Sequence, residues 1–403
     1  MAGQVKSHPN SGPEPFRPMT VAGVMSGTSA DGIDVALVEI RPNRGSLNLK
    51  LVAHQAFPFT PALRQAILSA MDAKSTSTAE LARLNWRLGQ AYAEAVRATV
   101  KRHPANLQLI GCHGQTIYHQ ATPATYAGCK VACTWQIGEP AIIAAEMGVP
   151  VVNNFRPADM VAGGQGAPLV PLLDYVQFAD EKLARVLQNI GGIGNLTFIP
   201  PASGADNLLA FDTGPGNMVI DALMQRLFHK PYDGGGKIAS QGTLVENVLA
   251  SALQHPFFAA RPPKSAGREE FGTAFVEKFL RLCQKSKASH EDTIATATVL
   301  TAESIARAFE KFVQPKLKRG IPVDYIVSGG GAKNKTLMAM LRQKLEPLGC
   351  NLMQSADAGI PVDAKEAVAF ALLAYYTWHR HPANIPSATG AKHTALLGQI
   401  TYA

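Results

Sequence analysis

The sequence predicts an α/β protein made of two related domains, each with a mixed sheet, set around an interdomain cleft. Three observations predict it. The order strand, glycine turn, strand, strand, helix occurs twice, first near residue 20 and again near residue 185. Strands and helical segments then alternate, as in an α/β layer with a partly antiparallel edge. The 403 residues suffice for two domains and a large buried core. A chance recurrence of the pattern is the alternative.

The elements follow in order. Residues 1–19 are polar and rich in Pro, Gly and Ser, which predicts a disordered tail with no signal peptide. Residues 20–24 form a first strand, residues 25–32 a glycine-and-hydroxyl turn, and residues 33–40 a second strand. Residues 49–57 read as a third strand. Ser77 and Glu80 stand at capping-box spacing before a long helix whose Leu81, Leu84, Leu88, Tyr92, Val96 and Val100 share one face. Residues 107–112 are a short strand ending at His113-Gly114-Gln115-Thr116. Residues 140–147 are helical and 149–154 are a strand. A Gly/Pro-rich crossing, 155–171, approaches a domain junction.

The pattern restarts with strands at 185–190, 195–199 and 208–212, the first two joined by a turn at Gly191–Gly194. A helix with Asn217 as its cap follows, carrying Ile220, Leu223 and Leu227. A later helix carries Ile305, Phe309, Phe312 and Val313. The strand 323–327 ends in Ser328-Gly329-Gly330-Gly331, ahead of a helix with Leu337, Leu341 and Leu345 inward. Domain boundaries are expected at 20–158 (with about 381–403) and 159–380.

Composition narrows the function. A formal charge of +8 and scattered Lys and Arg give a general bias toward anionic ligands, without the basic block of a nucleic-acid binder. No apolar run approaches the roughly 20 residues needed to span a bilayer. The five cysteines lack a matching Cys/His pair at zinc-finger spacing, and fit reduced thiols in the cytoplasm. The P-loop, the dinucleotide-binding G-x-G-x-x-G, the G-x-S-x-G elbow and H-E-x-x-H are all missing from the sequence.

Three glycine turns remain: Gly27–Gly32, Gly191–Gly194 and Gly329–Gly331. Backbone N–H groups and hydroxyls at the first suit phosphate oxygens, and its carboxylates call for a divalent cation between. An ordinary hairpin turn accounts for the same residues. The order of the three turns matches the phosphate and adenosine loops of the actin/hexokinase/Hsp70 class of ATP-binding folds, which are ribonuclease H-like.

Within that class the chain resembles the anhydro-N-acetylmuramic acid kinases of bacterial cell-wall recycling. The match lies in 23–34, in Cys112-His113-Gly114-Gln115-Thr116-Ile117, in 189–195, in Phe211-Asp212-Thr213-Gly214-Pro215-Gly216-Asn217 and in 328–334. It extends from about Val21 to the C-terminus. Ala30 departs from it, standing where a larger apolar residue is expected.

The resemblance implies ATP-dependent phosphorylation of O6 of 1,6-anhydro-N-acetylmuramic acid, with water opening the anhydro bridge. O6 is an ether oxygen without a proton, so a base must act on the attacking water instead. The resemblance makes Asp212 that base; alone, an Asp before a helix reads as a cap. It assigns ATP to Gly27, Thr28, Ser29, Ala30, Asp31, Gly32, Ile33 and Asp34. Gly192 and Gly194 then approach the phosphates, and Gly330 and Gly331 face the adenosine. Asp31 is the candidate for holding Mg²⁺ through water; it reads equally as a turn residue.

His113, Gln115 and Thr116 are expected to meet sugar hydroxyls, with a satisfied core histidine as the alternative. Arg156 is expected to bind the lactyl carboxylate and Asp159 a hydroxyl, against a surface ion pair. Glu366 either reaches the substrate or favours its own helix N-terminus. Residues 263–269 also look like a family stretch, with Lys264 and Arg268 over the cleft. A homodimer is implied. A kinase of another 1,6-anhydro sugar such as levoglucosan, and a non-catalytic nucleotide-dependent module of this fold, are the alternative functions.

Overall fold

The computed structural model describes residues 12–43, 46–71, 73, 75–354 and 361–403. They divide into two compact units, Met1–Gln177 with Asp363–Ala403, and Phe178–Val362. The first unit thus takes in the helix Lys365–Trp378, which the sequence pattern leaves in the second domain.

In the first unit, β1 (Met19–Ser26), β2 (Gly32–Asn43) and β3 (Ser46–Pro58) form an antiparallel meander. β4 (Leu109–Tyr126) lies parallel to β1, β5 (Cys129–Ile137) pairs antiparallel to β4, and β6 (Val151–Asn153) runs parallel to β4. The second unit has β7 (Ala184–Ile190), β8 (Ile193–Ile199) and β9 (Leu209–Pro215) as its meander. β10 (Val323–Ser328) is parallel to β7, and β11 (Cys350–Gln354) to β10. Counting outward from the meander edge, both sheets read third, second, first, fourth, and then one more parallel strand. β12 (Gln399–Thr401) extends the first sheet beyond β6. The repeat read from the sequence is therefore a repeat of topology.

β1 is buried on both faces, which its continuous apolar run requires. One cover is the helix Lys365–Trp378, buried nearly all round. It crosses where Gly23 of β1 pairs with Gly111 of β4. A methyl group on Gly23 would overlap the Ala367 carbonyl, and one on Gly111 that of Phe370. On the meander side, the helix Thr78–Arg102 starts with the expected Ser77–Glu80 capping box and buries Leu84, Leu88, Tyr92 and Val96.

β4 is the main departure from expectation. It runs through His113–Thr116 instead of ending there, and turns back at Ala127 and Gly128, both at positive φ, into β5. Positive φ at both central residues is the hairpin turn that matches strand twist. Gly114, at φ 78°, is the extra residue of a bulge: Val24 faces Cys112 but Ser26 faces Gln115. The outer parts of β4 and β5 are largely exposed on both faces, so no apolar alternation marked them.

In the second unit, the helix Met218–Phe228 starts after Asn217, which does not cap it; the Asn217 amide donates to the Ile190 carbonyl (3.3 Å). The helix His290–Ala308 opens on a Ser289–Asp292 capping box and continues as a single π turn, Phe309–Val313. The helix Lys335–Leu345 buries Leu337, Leu341 and Leu345 as expected. Of the N-terminal stretch read as a tail, residues 1–11 lie outside the described residues. Phe16, further on, stacks on Tyr375 and His381, and the Tyr375 hydroxyl donates to the Arg17 carbonyl (2.7 Å).

Candidate active site

The β1–β2 turn is anchored from below. The Ala30 N–H donates to the Gly27 carbonyl (3.1 Å), and its methyl is wholly buried at φ 53°. A larger apolar side chain there would need more core space, so Ala30 is the small version of a plug. The Gln115 amide also donates to Gly27 O (3.1 Å), and Ser26 Oγ lies 2.7 Å from the Tyr92 hydroxyl. Gly32 is required because a Cβ would overlap the Phe57 carbonyl. Thr28, Ser29 and Asp31 are left exposed at the tip, while Ile33 points into the core. Only backbone groups of Ala30 and Ile33 can thus meet a ligand. Asp34 is bonded to His54 Nε2 (2.9 Å).

Arg156 is the centre of a second group in the same unit. Its Nε donates to His113 Nε2 (3.0 Å), and its Nη1 to the Gly166 carbonyl (2.8 Å). His113 Nδ1 sits 2.7 Å from the Gly114 carbonyl, so that nitrogen carries the proton and Nε2 accepts. Burial, then the Arg156 charge, push the His113 pKa down to about 3. The ring is therefore a neutral bracket for Arg156. Burial raises the Glu366 carboxyl above its ordinary range, Arg156 opposes that, and Asp34 adds to it. Arg156, Glu366 and Asp34 accordingly feel one another.

Three expected sugar partners are occupied elsewhere. Asp159 is wholly buried, and its carboxylate accepts from the Gly166 N–H (2.8 Å), Asn384 (2.8 Å) and Thr389 (2.7 Å). It ties the crossing loop to the C-terminal segment and has no face for a hydroxyl. Gln115 is wholly buried beneath the β1–β2 turn, with its Oε1 unpaired. Thr116 Oγ1 accepts from Gln136 across the β4–β5 ladder (3.2 Å).

In the second unit, the ends of β7 and β10 and the start of the helix Met218–Phe228 converge. The N–H groups of Asn217 and Met218 donate to the carbonyls of Gly191 (2.7 Å) and Gly192 (3.0 Å). Gly330 lies beside the Asn217 amide, and a Cβ on it would sit at ordinary contact distance. Gly192 and Gly330 are thus the open glycines. Gly194 and Gly331, expected at the phosphates and the adenosine, are closely packed: a methyl on Gly194 would strike Thr213, and one on Gly331 would strike Ile190.

Asp212 stands two strands away, on β9. Its N–H donates to the Lys264 carbonyl (3.0 Å), and its Oδ2 accepts the Ala266 N–H (2.7 Å). Among the described residues no hydrogen bond reaches Oδ1. Desolvation raises its pKa to about 6, against the pull of the Ala266 N–H and the Lys264 charge. The strap 264–266 lies in the stretch 263–269 noted in the sequence, but its tie to Asp212 is what the sequence pattern passed over. Lys264 lies 52 positions from Asp212 in irregular chain, and only the Lys-Ser-Ala-Gly-Arg-Glu run hinted at it. The Arg268 side chain lies outside the described residues.

A family model described as anhydro-N-acetylmuramic acid kinase matches residues 19–403. A protein so described from Bacillus cereus (strain AH187) is 46% identical over 387 residues, covering 95% of this chain and 99% of that one. Another, from Bacillus thuringiensis subsp. konkukian (strain 97-27), is 45% identical with the same coverage, 95% and 99%. Among solved structures, the activator of the 2-hydroxyisocaproyl-CoA dehydratase from Clostridium difficile with bound ADPNP matches at 11% identity. Its TM-score is 0.40, over 89% of this chain and 94% of that one.

Proposed function

The chain belongs to the anhydro-N-acetylmuramic acid kinase family, and from that premise we propose how its residues carry the reaction. ATP phosphorylates O6 of 1,6-anhydro-N-acetylmuramic acid while water opens the 1,6-anhydro bridge, giving N-acetylmuramic acid 6-phosphate and ADP. As water attacks the anomeric carbon, Asp212 Oδ1 takes its proton. The C1–O6 electron pair passes to O6, which forms the new bond to the γ-phosphorus as the bond to ADP breaks.

The supporting observation is the half-blocked Asp212 carboxylate. One oxygen is fixed by the Ala266 N–H (2.7 Å) and the other is left to accept a proton, at a pKa near 6. A base tuned there is ionised at neutral pH yet still proton-seeking. Asp212→Asn is expected to abolish turnover and leave ATP binding intact. Product formed in ¹⁸O-water should carry label at the anomeric hydroxyl, and label-free product would sink the coupled reaction.

ATP binding falls to the backbone and hydroxyls of the Gly27–Asp34 turn and to the Gly192 and Gly330 turns. Asp31, exposed and loosely paired with Arg64 (3.5 Å), is the residue that would hold a Mg²⁺ through water. Such an ion would supply positive charge to offset that of the phosphates. Arg156, held by His113 and Gly166, is the cation for the lactyl carboxylate, a group that levoglucosan lacks. Glu366 contributes a hydrogen-bond acceptor beside it. Arg156→Ala is expected to raise KM for the anhydro amino sugar about tenfold or more, with KM for ATP little changed.

A homodimer in the cytoplasm completes the proposal. It is supported by the exposed aromatics Tyr118, Tyr126 and Trp135 on the β4–β5 hairpin and by five free cysteines. Light scattering of the purified chain tests the dimer.

A further inference from the structure

We propose that Lys264 is a positioning residue for the base: the strap it begins holds Asp212 in place, and its confined ammonium lends positive charge to the Asp212 carboxylate. The inference deepens the assignment of Asp212 as base and rests on it.

Two hydrogen bonds make the strap a clamp. The Lys264 carbonyl receives the Asp212 N–H (3.0 Å), so the strap lies along the edge of β9. Two residues on, the Ala266 N–H takes Oδ2 (2.7 Å) and fixes the carboxylate plane. The Lys264 side chain is confined as well. Its ammonium donates to the Phe257 carbonyl (3.1 Å) and lies 4.3 Å from the Phe257 ring centroid and 5.2 Å from that of Phe312. Phe211, the neighbour of Asp212 on β9, presents a third ring at 5.9 Å. Rings and a carbonyl hold a cation without neutralising it, so its charge remains available to the carboxylate.

Arg307, Glu310 and Lys311 line a cavity together with Lys264. Among the described residues Lys264 is the charged partner of Asp212, and Lys311 is the other cation facing Lys264. Lys311 is tied to the Ala259 carbonyl (3.1 Å), while Arg307 on the same cavity wall is paired with Glu303 (2.7 Å). That cavity, about 420 Å³, lets water reach the ammonium. Desolvation and Lys311 lower the Lys264 pKa to about 8, and Asp212 opposes them. Between pH 6 and pH 8 the pair therefore stands as carboxylate and ammonium.

The test is the pH profile of kcat/KM for the anhydro sugar in the full-length enzyme. Lys264→Met fits the aromatic box and removes the charge. Its acid limb is expected to move up by about 1 pH unit, while Lys264→Arg keeps the parent limb. A general weakening of the structure would lower the plateau without moving the limb. Lys264→Gln carries the same expectation should the Met variant fail to fold. The Asp212 carboxyl is titrated in parallel by NMR of ¹³C-aspartate-labelled protein, assigned by its loss in Asp212→Asn. An unmoved Asp212 titration in Lys264→Met overturns the inference. A moved titration with an unmoved kinetic limb upholds the electrostatic coupling but removes Asp212 from the role of base, which is a separate failure.

Discussion

At the scale of the residue, Asp212 combines a cost with a use. Its pKa of about 6, raised from 3.8, means that between these two values the folded chain holds a proton there that the unfolded chain has released. Stability from this group is therefore full below about pH 4 and is lost as pH rises through 6. Asp212→Asn keeps an acceptor for the Ala266 N–H and has no charge to desolvate. It should be more stable than the parent by about 1–2 kcal/mol at pH 8, after discounting for partial exposure, and equal to it below pH 4. Urea titrations at the two pH values measure the difference, and a variant less stable at pH 8 would contradict it. The inactive enzyme is thus expected to be the sturdier one, as at many sites where function requires an unfavourable group.

Asp212 is singled out through the family resemblance, since its local pattern, a carboxylate ending a strand before a helix start, reads equally as a cap. The sequence leaves His113 open between a sugar partner and a satisfied core histidine: its partners, Gly114 O and Arg156 Nε, come from a bulge and a distant loop that no spacing rule reveals. Asp159 reads as a sugar partner or a member of a surface ion pair, yet Asn384 and Thr389 close over it from the far end of the chain.

At the scale of the element, the facing pair Gly23 and Gly111 fixes how closely a helix approaches the first sheet. Gly111→Ala would press a methyl against the Phe370 carbonyl and Ala374, and should destabilise the chain by about 1–3 kcal/mol. Gly204→Ala, with nothing near its Cβ, is the control and should be close to neutral. Equal losses in the two variants would show that the close approach of the helix to Gly111 does not govern the site. Apolar runs on β1, β7 and β10 made the sheet centres readable, and capping residues made the helix Thr78–Arg102 readable. The β4–β5 hairpin was not, because a largely exposed strand pair carries no hydrophobic alternation and is specified by its Ala-Gly turn alone.

At the scale of the whole molecule, the same meander-and-crossover topology occurs in both units, each with a glycine turn after its first strand. The two loops are closed differently. The first is sealed by buried Ala30 and Gln115, the second by carbonyls of Gly191 and Gly192 taken up by a helix start. The four glycines named from the motifs in the second unit, Gly192, Gly194, Gly330 and Gly331, do not share one duty either. Two stay open and two pack.

The first unit is interrupted, since Lys365–Trp378 returns to cover β1 after all of the second unit has been traversed. The glycine pair then has a meaning in time. During synthesis the β1–β4 surface around Gly23 and Gly111 must wait, uncovered and apolar, while some two hundred further residues leave the ribosome, at roughly 5–20 per second. The later-made unit can finish before the earlier-begun one. In refolding, pulsed hydrogen exchange should protect β7 and β8 before β1 and β4; the reverse order would deny the C-terminal helix its part as the closing piece. Until it arrives, the first half of the chain is a natural client for chaperones.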